Sequence, residues 1–141
     1  MYKMKPEDFG IKKYKFRPDG TLDVFEDVNL GFKNLTKLPF NFGKVNGYFN
    51  CSYNKLKTLK GVPIEVNGNF YCNGNNLKSL KGVPRIINGD FYYINNDLTS
   101  LKGLNLNGIT GKIYARANPD LKLTEKEEFW MTLNPGRLIL K

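Results

Sequence analysis

The chain has 141 residues, 40% of them hydrophobic and 25% charged, with a formal net charge of +9. That length holds one domain with a modest core, and no run of about eighteen apolar residues offers a membrane span. The positive balance excludes mimicry of nucleic acid, which needs a strongly acidic surface, and favours acidic partners, nucleic acid among them. Met1 to Asp8 carries no apolar stretch that could serve as a secretion signal, so a cytoplasmic location is expected. The two cysteines are then expected as thiols. Asn34-Leu35-Thr36 and Asn50-Cys51-Ser52 read as chance glycosylation sequons.

Residues 1–22 read as a basic N-terminal segment that opens a hairpin cap. Tyr14-Lys15-Phe16-Arg17 and Leu22-Asp23-Val24-Phe25 flank Pro18-Asp19-Gly20, with Gly20 suited to a left-handed position. Asp19, Asp23, Glu26 and Asp27 follow, at a spacing that fits no calcium loop.

Residues 23–122 carry a 21-residue period. Val45-Asn46-Gly47-Tyr48-Phe49-Asn50-Cys51 returns as Val66-Asn67-Gly68-Asn69-Phe70-Tyr71-Cys72, then as Ile87-Asn88-Gly89-Asp90-Phe91-Tyr92-Tyr93. The second half repeats as well, from Asn54 to Pro63, Asn75 to Pro84 and Asn96 to Leu104. A unit this short cannot bury its own apolar face, so the units are expected to stack as a β-rich solenoid of about five rungs with one parallel sheet. Phe49 and Cys51 are two apart and point to one face of a strand. Val45, four before the Phe, is expected on that face too, and Leu56 and Leu59 close the turn inward. A fainter unit precedes these, with Val28, Leu30, Leu35 and Leu38 in register and Lys33 where the Asn would stand, so its turn should differ. A last unit runs from Ile109 to Asn118.

Asn54, Asn75, Asn96 and Asn118 fall where each strand ends. An Asn side chain there can bond backbone groups that a bend leaves unpaired, in its own turn and the next. Gly47, Gly68, Gly89 and Gly111, and Gly61, Gly82 and Gly103, mark bends where a side chain would clash or φ is positive. Pro63 and Pro84 stiffen the return limb. Cys51 and Cys72 share one inward position in adjacent units and read as core thiols, with neither disulfide geometry nor a metal cluster implied.

Residues 123–141 read as a helical cap. Thr124 and Glu127 make a capping box, Phe129, Trp130 and Leu133 supply the apolar side, and Asn134-Pro135-Gly136 ends the helix. Leu138, Ile139 and Leu140 are expected to tuck against the last unit.

Phe49-x-Cys51-x-x-Asn54-x-Leu56 resembles the strand-and-turn core of a leucine-rich repeat. The opening, Pro18-Asp19-Gly20-Thr21-Leu22-Asp23-Val24, then Asp27-Val28-Asn29-Leu30, then Leu35 to Gly47, is similar to the first module of small leucine-rich-repeat-like proteins of tailed bacteriophages. The likeness covers roughly residues 14–118, and the tail after residue 122 departs from it. It implies a fold, a viral origin and action inside a bacterial host. It implies little about activity, with interference with a host protein, such as a defence component, as one family-level role.

Outward strand residues alternate with the core ones: Asp27, Asn29 and Gly31; Tyr48, Asn50 and Ser52; Asn69, Tyr71 and Asn73; Asp90, Tyr92 and Ile94; Lys112, Tyr114 and Arg116. Tyr71, Tyr92 and Tyr114 make a ladder across neighbouring strands, with Tyr48, Asn50, Asn73, Ile94 and Arg116 around it. Tyr is a rigid amphipathic anchor at protein interfaces, and cross-strand Tyr pairs also stabilise sheets. Because no core requirement turns three Tyr outward, the ladder reads as a partner-binding face on a concave sheet. Lys60, Lys81 and Lys102 form one column, and Lys57 and Lys78 another. They read either as a ridge for nucleic acid or an acidic partner, or as a solvated edge.

Enzymatic signatures are missing from the sequence. There is no histidine, no Cys-x-x-Cys and no phosphate-binding loop, since Ile109 follows Gly108 where a Lys is required. Glu125, Glu127 and Glu128 suit the start of a helix. The expected function is non-enzymatic interaction with a host protein, with no cofactor, metal, membrane or small-molecule substrate. Nucleic-acid binding and a virion-associated assembly module are the alternatives.

Overall fold

The computed structural model describes residues 3–141; Met1 and Tyr2, at the start of the expected N-terminal segment, lie outside the described residues. Short strands alternate between two sheets. One sheet is built from β1 (Tyr14–Phe16), β2 (Leu22–Val24), β4 (Phe42–Val45), β6 (Glu65–Val66) and β8 (Ile86–Ile87), side by side in that order. The other runs β3 (Val28–Asn29), β5 (Phe49–Asn50), β7 (Phe70–Tyr71), β9 (Phe91–Tyr92), β10 (Ile113–Tyr114) and β11 (Leu138–Ile139). Apart from the β1–β2 hairpin, the pairings are parallel, and neither sheet closes into a barrel.

The register follows the repeat. Val28 lies beside Phe49, Phe49 beside Phe70, and Phe70 beside Phe91. Val45 lies beside Val66, and Val66 beside Ile87. The expectation of one sheet is therefore corrected to two. Val45 and Phe49 both face inward, but a bend at Asn46-Gly47 separates them into different strands. A four-residue spacing preserves the inward parity whether the chain runs straight or bends, so the pattern alone does not distinguish the two.

Between the sheets the core is continuous. Phe49, Phe70, Phe91, Leu56, Leu59, Leu77, Leu80, Leu98 and Leu101 are buried. Neighbouring Phe rings lie 5.8 Å and 5.3 Å apart. Cys51 and Cys72 are free and buried, and burial pushes the Cys51 thiol up to about 12 and Cys72 upward as well, which makes both poor nucleophiles. Tyr93 takes the same position one unit on. Its buried hydroxyl has no hydrogen-bond partner among the described residues. An unsatisfied buried hydroxyl costs about 1–3 kcal/mol, so Tyr93→Phe is expected to stabilise the fold by about 1 kcal/mol. A urea titration checks this.

The hairpin forms as expected, with Tyr14 opposite Val24 and Phe16 opposite Leu22. Ahead of it, a short 3-10 turn at Pro6–Phe9 leads to buried Ile11. Phe9, Phe16 and Phe42 meet Phe40 edge-on at 5.8, 6.5 and 6.1 Å. This aromatic plug closes the front of the core.

At the back, α1 (Glu125–Leu133) starts at the expected capping box: Glu127 N–H donates to Thr124 Oγ1 at 3.2 Å, and Thr124 N–H donates to Glu127 Oε1 at 2.9 Å. The expected apolar side is corrected. Phe129 and Leu133 are 63% and 65% exposed, and Trp130 and Met131 turn to the core instead. Trp130 is positioned by its N–H bond to Asn107 Oδ1 and by the Arg137 guanidinium, 5.3 Å over its ring. The same guanidinium donates to the carbonyls of Ile109 and Gly111. Arg137 thereby fastens β11, which pairs Leu138 with Ile113 and Ile139 with Tyr114.

Candidate functional site

The β3–β11 sheet presents its outward residues as aligned columns. In the central one, Asn29, Asn50, Tyr71, Tyr92, Tyr114 and Ile139 are successive register partners. The Tyr71 and Tyr92 rings stack at 4.7 Å and 17°, and the Tyr92 and Tyr114 rings at 4.4 Å and 4°. Tyr48, from the adjacent column, meets Tyr71 edge-on at 6.1 Å. All four are half-buried, so none is a core residue and none waves freely.

The column on one side fixes the ladder. Asn69 Nδ2 donates to the Tyr71 hydroxyl at 2.9 Å, and the Tyr92 hydroxyl donates to Asp90 Oδ2 at 3.4 Å. Those carboxylates and amides also accept backbone N–H groups of the next unit: Asp27 from Tyr48, Asn69 from Asp90, and Asp90 from Lys112, at 2.7–2.8 Å. Burial, then the nearby Asp90 charge, pushes the Tyr92 phenol up to about 12. It stays neutral at physiological pH, with its proton directed at Asp90.

The column on the other side is more structural than its sequence suggests. Ser52 is buried, not outward, because its Oγ accepts the Asn73 N–H at 3.0 Å. Asn73 Oδ1 accepts the Ile94 N–H at 2.8 Å. Asn50 is engaged twice, accepting from Ser52 N–H and donating to Asn29. Ile94 is half-buried and Arg116 exposed, and both stand beside the ladder. The structure thus brings Tyr48, Tyr71, Tyr92, Tyr114, Ile94 and Arg116 into one surface and makes Asn50 and Asn73 its scaffold.

Lys57, Lys60, Lys78, Lys81 and Lys102 are exposed along the turns, and among the described residues none makes an ion pair. The N–H groups of Lys60, Lys81 and Lys102 donate to Thr58, Ser79 and Ser100 hydroxyls at 3.3–3.4 Å, so the columns ride on one recurring turn.

One pair of residues escaped the sequence reading. Three residues beyond the ends of β3, β5, β7, β9 and β10, Phe32, Tyr53, Gly74, Asn95 and Ala117 all take positive φ, between 55° and 60°. Gly and Asn suit that conformation; for a bulky residue it costs roughly 1–2 kcal/mol. Phe32 and Tyr53 nevertheless hold it while 78% and 48% exposed, their rings stacked at 4.7 Å. The signal was present in the alignment of units, where Phe32 and Tyr53 stand in the place of Gly74 and Asn95.

No helix among the described residues is long and apolar enough to cross a membrane. Among the described residues, no group of three or more His, Cys, Asp or Glu is placed to hold a metal ion. Comparison with models of protein families, with curated proteins and with solved structures finds no match for this chain.

Proposed function

We propose that the chain is a leucine-rich-repeat-like solenoid that works as a non-enzymatic binding module, holding a partner protein on its tyrosine ladder. The observation that carries the proposal is the stacked Tyr71–Tyr92–Tyr114 file, outward, half-exposed and tethered by Asn69 and Asp90. Rigid aromatic anchors lose little conformational freedom on binding, and such residues dominate interface energetics. The phage-like character of the opening module supports a bacterial host protein as the partner, with inhibition of that protein as the consequence.

The test is affinity capture from bacterial lysate with the wild type and a Tyr71→Thr/Tyr92→Thr/Tyr114→Thr variant, chosen to keep strand propensity. Anchors of this kind contribute about 2 kcal/mol or more each, so the variant is expected to lose a stoichiometric partner by at least about a hundredfold in affinity. Its far-ultraviolet circular dichroism should match the wild type. The same captured proteins in the same amounts from both would rule out the ladder as the binding face.

A further inference from the structure

We propose a second, separate binding site, for single-stranded nucleic acid, centred on the exposed Phe32–Tyr53 stack. A Cβ on Gly74 would lie 2.4 Å from Tyr53 Cδ1 and 2.7 Å from Cε1, so the Tyr53 ring packs directly against that glycine, with Phe32 stacked on Tyr53 in turn. The Phe32 face turned away from Tyr53 is the open end of the pile, as its exposure of 78% requires. A flat π-face left bare at the end of a stack is a surface on which a nucleobase continues the pile.

The stretch of chain that carries the two rings is charged with one sign. Between Asp27 and Glu65 the chain carries Lys33, Lys37, Lys44, Lys55, Lys57 and Lys60 and not one acid. Lys44 belongs to the opposite sheet, where it pairs with Glu65 at 2.8 Å. The other five are exposed and, among the described residues, make no ion pair. Lys33 follows Phe32 directly, and Lys55 lies two residues beyond Tyr53. Beside them opens a groove of about 560 Å³ lined by Asn34, Lys37, Phe40, Thr58 and Lys60 among others. Backbone phosphates would track the lysines and the groove while a base stacks on Phe32. A folded protein partner would need acidic side chains placed to match these lysines. A single strand supplies charge and flat rings at every residue, which fits both features at once.

The backbone argues that the aromatics are held for binding. Asn95 occupies the same left-handed position in its own unit without an aromatic ring. Phe32→Asn and Tyr53→Asn are therefore variants for which this chain already provides the precedent. They should melt at or above the wild-type temperature, since Asn tolerates that conformation better than Phe or Tyr.

The experiment is fluorescence anisotropy with labelled single-stranded DNA and RNA of about 12 nucleotides, and with the matching duplex, over about 50–200 mM salt. The wild type should bind the single strands, with a log–log salt slope near −2 to −3.5 for three to five neutralised phosphates. Each Asn variant should weaken binding at least about fivefold. Lys33→Gln or Lys55→Gln should each flatten the slope by about 0.7. The Tyr71/Tyr92/Tyr114 variant should bind the oligonucleotides as the wild type does, which keeps this site distinct from the tyrosine ladder. Absence of single-strand binding at the lowest salt overturns the proposal. So does unchanged affinity in the Phe32→Asn/Tyr53→Asn double variant, whether or not its melting temperature falls, and so does equal affinity for duplex, which would leave only charge.

Discussion

Asn96→Ala is expected to lower the unfolding free energy by about 3–5 kcal/mol, more than any surface change in the chain. The side chain is 3% exposed and all its bonding capacity is directed at backbone. Its Nδ2 donates to the Cys72 carbonyl at 2.9 Å and the Tyr93 carbonyl at 3.4 Å. Its Oδ1 accepts from the Asn75 and Leu77 N–H groups, both at 3.2 Å. Alanine would strand these groups in the interior, each at about 1–3 kcal/mol before relaxation. Leu98 on the same turn would meanwhile keep its own bond to Asn118. The loss should therefore appear as a lower denaturation midpoint in urea with an unchanged slope. A cost under about 1 kcal/mol would mean that the turns satisfy themselves without the Asn. Asn96→Asp should be no rescue, because it keeps the acceptor and removes the donor while placing a carboxyl in a buried site.

These Asn residues also show why part of the molecule was readable from its sequence. An Asn at a fixed offset from a Phe-x-Cys strand has one physical use at a bend, and the structure contains that use four times, at Asn54, Asn75, Asn96 and Asn118. The outward Tyr file was legible for the same reason: strand parity is decided once Phe70 and Phe91 are known to face inward. Other features lacked such a signal. Asn46-Gly47 breaks the strand without changing parity, so the second sheet was hidden. Lys33, in place of Asn, did announce an unusual first turn, and there Phe32 and Asn34 both take positive φ while Asn54 accepts from Lys33 and Leu35 N–H. Nothing short of comparing column positions revealed that aromatic rings fill a left-handed site. In α1, Phe129 and Trp130 are adjacent and point apart, so composition could not say which one packs.

Gly89→Ala is expected to destabilise the fold by about 3 kcal/mol, whereas Gly82→Ala should cost about 1 kcal/mol, although both are bend glycines, one near the end of a unit and the other near the start of the next. The two are glycine for different reasons. Gly82 has φ +86 and its nearest neighbour to an added Cβ is the Leu59 carbonyl oxygen at 3.6 Å, an ordinary van der Waals contact, so the change introduces conformational strain without a clash. Gly89 has an ordinary φ, but an added Cβ would lie 2.6 Å from the Gly68 carbonyl carbon and oxygen. Gly68 meets Gly47 in the same way, at 2.7–2.8 Å, and Gly111 meets Gly89 at 2.5–2.6 Å. The glycines form a file in which backbone rests on backbone, and backbone cannot rotate aside as a side chain can. Relief therefore requires adjacent units to part at that corner. The register partners flanking the corner are Val66 with Ile87 on one side and Phe70 with Phe91 on the other, and Tyr71 pairs with Tyr92 one residue further on, so the parting would reach the ladder as well as the core. The near-ultraviolet circular dichroism of the stacked tyrosines should weaken in Gly89→Ala and persist in Gly82→Ala. Partner capture should follow the same order, because the spacing of the Tyr rings depends on how closely these glycines let the chain approach itself. Equal losses of stability in the two variants would refute the distinction and return both glycines to a single conformational role.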